Sequence, residues 1–281
     1  MKTERRSYSR DTVETSALRS RSTARALQVL ILMAEAGDEL GVREIARRLN
    51  IASSIAQRYV STLAEWGFVE QVDDNQKYRI GYRAFQVGQS YVARNRLQEV
   101  SLPELRRMAE KEQINAYLGV LRDSSVIYLE ALQSRGPIAI TSMPGTRGAL
   151  HSTAFGKALL ADLSDEEVAA HLGAEPYTRK TAKTKTTFKQ VIQDIRRVRQ
   201  AGYAFSDGEN LPSVFAVGAA IRDRSGRIVA AVSGALPRSD MRDKDRERLR
   251  ATVVTAAQRI SIRLGAPAKG APDENKQQHA D

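Results

Sequence analysis

Between residues 24 and 80, apolar side chains recur three times at helical spacing and then shorten into two strand-like runs around a turn. Ala24, Leu27, Leu30, Ile31 and Ala34 mark a first helix, which Gly37 stops. Val42, Ile45, Ala46 and Leu49 mark a shorter one that closes at Asn50. A third begins near Ala52 and ends before Gly67. Runs at 68–72 and 77–80 flank Asp73-Asp74-Asn75 and read as a hairpin. Three helices and a hairpin in this space make the layout of a winged helix-turn-helix.

The third helix carries the chemistry. Ala52, Ile55, Ala56, Tyr59, Val60 and Leu63 fall on one side and are expected to pack inward, while Ser53, Ser54, Gln57, Arg58 and Ser61 fall on the other. That second face holds no carboxylate. Phosphate repels acids, Ser and Arg hydrogen-bond its oxygens, and Gln and Arg also read base edges in the major groove. The competing reading is a solvated helix in a small helical domain, but such a face ordinarily mixes Glu with Lys. Lys77 and Arg79 on the hairpin, and Arg19 and Arg21 before the first helix, read either as phosphate contacts or as solvated surface charge. Net charge does not carry this argument. The chain is +11 overall, yet residues 1–82 hold thirteen Lys/Arg against eleven Asp/Glu.

Residues 1–21 are polar and without period, and are expected to form a flexible basic arm before the DNA-reading domain at 22–82. A helix over 82–98 is expected to supply the linker (83–98), and a second domain spans 99–265. Its pattern predicts a helix at 103–112, strands at 116–121, 126–131 and 138–143, and a helix at 152–160. Ser164 with Glu167 forms a capping box. A helix at 188–200, strands at 214–222 and 227–235 around Asp223-Arg224-Ser225-Gly226, and a last amphipathic helix ending at Gly265 follow. Residues 266–281 read as a disordered tail. Strands and helices mix without strict alternation, so the class is α+β with helices packed on an antiparallel sheet.

Catalysis finds little support. With no cysteine, disulfides and thiolate zinc sites are excluded. The three histidines, His151, His171 and His279, have no helical ligand spacing, and the stretch 145–157 fails the phosphate-loop spacing, with Ala158 after the Lys where Ser or Thr is required. No Gly-x-Ser-x-Gly elbow exists, and His151 reads as a satisfied structural histidine. No metal or cofactor is expected. The basic run Arg179, Lys180, Lys183, Lys185 and Lys189 reads as solvated. A polar, Arg-rich start without an apolar core and the lack of a long apolar stretch predict a cytoplasmic protein without membrane spans.

With these residues in view, the chain resembles the IclR family of bacterial regulators. The resemblance runs from Ala24-Arg25-Ala26-Leu27 through Val42-Arg43-Glu44-Ile45-Ala46 and the third helix. It continues in Gly145-Thr146-Arg147, in Leu150-His151-Ser152-Thr153-Ala154-Phe155-Gly156-Lys157-Ala158, in Gly202-Tyr203-Ala204 with Glu209, and in Ala219-Ala220-Ile221-Arg222-Asp223. It implies a winged DNA-binding domain, a linker helix, an effector domain resembling GAF and PAS sensors, and dimers or tetramers on double-stranded operator DNA. It also implies a small-molecule effector, often an organic acid, held by Ala154, Phe155, Ser206, Val214, Ala216, Ser233 and Ala235. Free N–H groups at a helix start suit such an anion. Ala216, Ala235 and Phe155 make this site more apolar than the family's familiar one, which implies a larger or more apolar effector. The alternative is an oligomeric DNA-binding scaffold whose sensor-like domain takes no ligand.

Overall fold

A computed structural model of the chain describes residues 20–73, 75–93, 96–135, 143–239 and 241–267. The chain forms two compact units, Met1–Arg94 and Asn95–Asp281. Most of the expected arm, the tail from residue 268 and the expected strand at 138–143, apart from Met143, lie outside the described residues.

In the first unit, α1 (Arg21–Ala36), α2 (Val42–Leu49) and α3 (Ser53–Glu65) precede β1 (Val69–Gln71), β2 (Tyr78–Ile80) and α4 (Tyr82–Ala93). Arg21, placed in the arm by its polarity, is helical, because Ser20 caps the helix by accepting from the Thr23 N–H at 3.3 Å. Asn50 closes α2 in the left-handed conformation, its N–H directed to helix carbonyls. β1 and β2 pair antiparallel, and Leu40 bridges to Tyr78. The core gathers Val29, Met33, Ile45, Ala56, Val60 and Val69. Here the structure corrects the α1 pattern: Val29 and Met33 are buried, while Leu27 and Ile31 stay 56% and 53% exposed. This helix has apolar residues on two faces, and the core takes one.

The second unit opens with α5 (Arg96–Arg106) and a π-helical turn at Arg107–Lys111. A separate helix starting at Pro103 is corrected by this arrangement, while residues 94 and 95, on which the continuity of the expected linker helix turns, lie outside the described residues. Gln98 donates to Leu129 O at 3.2 Å and to Glu130 Oε1 at 3.0 Å, which ties it into the second unit. Pro103 sits inside α5, where burial of Ser101 and Leu105 overrides its helix-breaking tendency.

The sheet contains β3 (Asn115–Arg122), β4 (Ser125–Leu132), β5 (Arg147–Gly148), β6 (Ala204–Asp207), β7 (Val214–Arg222) and β8 (Ile228–Pro237). Its order is β5-β4-β3-β8-β7-β6, with every described pairing antiparallel. Alternation along the strands builds two cores. Phe215, Val217, Ala219 and Ile221 of β7 face α5 and α9 (Asp243–Arg263) with Leu249, Val253 and Ile260. Tyr117, Tyr128, Val214 and Ala235 face the other way, with α6 (Ala154–Leu159), α7 (Asp165–Leu172) and α8 (Phe188–Ala201) supplying Phe155, Val168, Val191 and Ile195. The capping box at Ser164 is formed in full. No helix among the described residues is long and apolar enough to cross a membrane.

Candidate functional site

Two sites take shape, one in each unit. On α3, the side chains of Ala56 and Val60 are buried, and Ser53, Ser54, Gln57, Arg58 and Ser61 form an exposed face. Ile55 and Ala52, expected inward, are exposed, since only part of this helix rests on α1 and α2. Gln57 Nε2 donates to Ser61 Oγ at 3.1 Å and reaches the Tyr78 hydroxyl of the hairpin at 3.5 Å. That contact holds the hairpin against α3. The Arg58 guanidinium lies 5.7 Å from the Tyr59 ring centre, and the residue is exposed. Lys77 is exposed just before β2, and Asn75 Oδ1 accepts its backbone N–H at 2.9 Å. Arg79 pairs with Glu70 at 3.4 Å. Arg21 opens α1, on a separate element.

In the second unit, strand register does the assembling. Ser206 pairs with Ala216 and Ala216 with Ala235, so the three stand in one row across β6, β7 and β8. Gly218, Ser233 and Tyr117 form the next row of that face. Above it, α6 comes so close that a Cβ on Gly218 would lie 2.5 Å from the Phe155 nitrogen, and one on Gly119 would lie 2.3 Å from the Phe155 ring. Between them is a cavity of about 50 Å³. Ala154 and Phe155 of α6 line it together with Ser206, Val214, Ala216, Ser233 and Ala235, all seven residues singled out from the sequence.

Tyr117, Tyr128, Thr153, Asn210 and Leu211 complete the wall, and the sequence reading did not pick them out as effector contacts. Tyr117 and Tyr128 reach the cavity through the pleat of β3 and β4, which the alternation of those strands signals. Three rings close on one another, Tyr117 to Tyr128 at 5.8 Å and Tyr128 to Phe155 at 4.9 Å, both edge to face. Ser206 Oγ donates to Ser152 O at 2.7 Å and Ser233 Oγ to Val217 O at 2.8 Å, so both hydroxyls keep acceptor capacity. Burial, with Tyr128 beside it, raises the Tyr117 hydroxyl well above its ordinary range, which keeps it protonated at neutral pH. At six residues α6 is short, so the helix-start attraction for an anion is weaker here than the sequence argument assumes.

Behind α6 lies a buried ion cluster. Lys157 Nζ donates to Asp194 Oδ2 at 2.6 Å, to both Glu209 oxygens at 2.8 Å and to Phe205 O at 3.1 Å. Lys185, read from the sequence as solvated, also pairs with Asp194 and is only 27% exposed. Burial pushes the Asp194 carboxyl up, but the Lys157 and Lys185 ammoniums outweigh it and hold it below its ordinary value. Glu209 adjoins Asn210 and Leu211, so the cluster anchors one wall of the cavity. His151 is buried, and its Nε2 donates to Thr178 O at 3.0 Å.

Residues 22–73 match the IclR helix-turn-helix domain, and residues 89–262 match the C-terminal domain of bacterial transcriptional regulator IclR. The chain belongs to the IclR family. Among its IclR-family relatives, the HTH-type transcriptional regulator BhcR of Paracoccus denitrificans is 33% identical over 251 residues, covering 89% of each chain. A crystal structure of an IclR transcriptional regulator from Alicyclobacillus acidocaldarius superposes with a TM-score of 0.78 at 25% identity, covering 88% of this chain and 100% of that one. An IclR homologue from Microbacterium hydrocarbonoxydans, solved in complex with 4-hydroxybenzoate, gives 0.74 at 25% identity over 86% of this chain and 98% of that one. IclR membership makes this chain a DNA-binding transcriptional regulator, and its relatives are regulators rather than enzymes.

Proposed function

We propose that this regulator binds operator DNA through α3 and the hairpin, and that a small organic acid in the α6–sheet cavity modulates that binding. The observation that carries the effector half is convergence: residues on six elements, far apart in sequence, close on one space. The 4-hydroxybenzoate held by the Microbacterium homologue supports a compact acid with an apolar body. Ala216 and Ala235 offer such a body contact without hydrogen bonds, and the Tyr117 hydroxyl and two serines offer polar partners. On the DNA side, Ser53, Ser54 and Ser61 suit phosphate, Gln57 and Arg58 suit base edges, and Lys77 and Arg21 suit flanking phosphates. A second copy of the chain covers Leu27 and Ile31, giving the dimer that a two-part operator requires. Effector and operator communicate because the effector binds DNA-competent and incompetent arrangements with different affinity. Such a protein works in the cytoplasm, where the DNA is.

The small cavity favours one further reading, a DNA-binding oligomeric scaffold that takes no ligand. A broad screen of organic acids separates the two, since a ligand that binds only the folded state raises the Tm and a scaffold stays silent.

The decisive test is an anisotropy titration of the full chain against DNA upstream of its own gene, at controlled salt and with nonspecific competitor. Arg58→Ala is expected to lower specific affinity by about tenfold or more, from a loss of about 1–3 kcal/mol per base contact, without changing the Tm of the second unit. Equal affinity in the variant would remove α3 as the reading helix.

A further inference from the structure

The serine and threonine hydroxyls that line the cavity have already used their hydrogens. Ser206 Oγ donates to Ser152 O at 2.7 Å, Ser233 Oγ to Val217 O at 2.8 Å and Thr153 Oγ1 to Ala149 O at 2.6 Å. A carbonyl oxygen only accepts, so in each pair the hydroxyl is the donor. Ser206 and Ser233 therefore turn lone pairs toward a guest, and lone pairs repel a carboxylate. Thr153 Oγ1 also takes the Gly156 N–H at 3.2 Å, and α6, with six residues, offers only a weak helix start. An acid that enters this space needs a donor from another part of the wall.

Asn210 supplies one. It lines the cavity and also an open hollow beside it, which puts it at the mouth. Its Oδ1 accepts the Ser152 hydroxyl at 3.1 Å, and its Nδ2 has no hydrogen-bond partner among the described residues. The opposite turn of the amide is disfavoured. Ser152 is fully buried, and its hydroxyl hydrogen would then lose this acceptor with no water to replace it. The chain just before Asn210 is anchored: Gly208 O accepts from Thr181 Oγ1 and Glu209 O from Thr184 Oγ1, each at 2.7 Å. Both Glu209 carboxylate oxygens meet Lys157 Nζ at 2.8 Å, which offsets the negative charge next to Asn210 that would otherwise oppose an anion. We propose that Asn210 determines specificity for an anionic effector: its Nδ2 donates to the carboxylate at the mouth of the cavity, and Ser152 orients it. This rests on the reading that the cavity takes the effector, and adds the residue that meets the effector's charge.

Calorimetry on the full chain with two ligand pairs tests it: propanoate against propanamide, and benzoate against benzamide. Within each pair a carboxylate is replaced by a neutral amide of the same shape. The wild type is expected to favour the acid of each pair by about tenfold, the gain from one charge-assisted hydrogen bond. Asn210→Asp keeps the size and the bond from Ser152 but puts a carboxylate where the donor was. It should reverse the preference in both pairs, because the ligand amide donates to Asp while the acid is repelled. A damaged fold weakens all four ligands and reverses nothing. Asn210→Ala, the milder change, should level each pair, and Ser152→Ala should shrink the wild-type preference. An acid preference that survives Asn210→Asp or Asn210→Ala would overturn the proposal, and one kept in full in Ser152→Ala would overturn the orienting role of Ser152. The cavity reading is tested separately by Ala216→Leu, which narrows the space and should weaken all four ligands. Failure of all four to bind the wild type would end both readings.

Discussion

Lys157 is among the largest fully buried side chains of the second unit. Its ammonium is 1% exposed and meets two carboxylates and a carbonyl, so its burial is compensated almost completely. A buried pair of this kind adds little net stability over an apolar replacement of the whole cluster, but removing one partner is costly. Lys157→Met leaves Asp194 and Glu209 with Lys185, at the edge of the cluster, and Arg197, which pairs with Asp194 alone, as their remaining cations. We expect a loss of about 3 kcal/mol or more, read by urea denaturation. A triple change of Lys157, Asp194 and Glu209 to apolar residues should recover much of it. Recovery separates an ion cluster that fixes geometry from one that supplies stability. If the single variant unfolds at the wild-type urea concentration, the cluster is solvated and the burial argument is wrong.

At the scale of elements, α6 and the sheet are held together by missing side chains. Gly218 and Gly119 bring backbone and ring within distances that a Cβ would forbid. In Gly218→Ala the new methyl meets the α6 backbone, which cannot swing away as a flexible side chain would. We expect about 1–3 kcal/mol of destabilisation, with weaker ligand binding because α6 must lift from the cavity. An unchanged Tm for Gly218→Ala would show that α6 rests loosely on the sheet. Much of this layer was legible in the sequence. The strand at 214–222 matches β7, whereas the cavity residues were legible only through the family resemblance and not from any local pattern. What failed did so for physical reasons. The four-residue β6 is too short to show a period, and the order of the strands is not encoded locally. Pro103 looked like a helix start, but tertiary burial outweighs one proline. The partners of Lys157 lie 37 and 52 residues away, so no spacing announces them.

At the scale of the molecule, the first unit exposes Leu27, Ile31, Tyr82 and Phe85 as large apolar side chains. One such residue is ordinary; with Val87 and Tyr91, six on α1 and α4 are a reason to expect a partner copy. Leu27→Glu with Ile31→Glu is expected to shift the full chain toward monomer in sedimentation and to weaken operator binding, because two half-sites would no longer be held together. A variant that sediments as wild type does would place the contact between copies elsewhere. The sequence was misleading on this point, since helical periodicity reports apolar faces without saying whether the core or another chain covers them.

On the proposed reading of the cavity as the effector site, its three rings have a further consequence for the living cell. A space filled by its own walls must be opened before a guest enters, and every guest bears that cost, so apparent affinity falls by the fraction of molecules open at any moment. Trace amounts of a fitting metabolite then go unanswered. A switch built this way responds to accumulation, with a threshold set by how tightly Phe155 sits on Gly119 as much as by the chemistry of the metabolite.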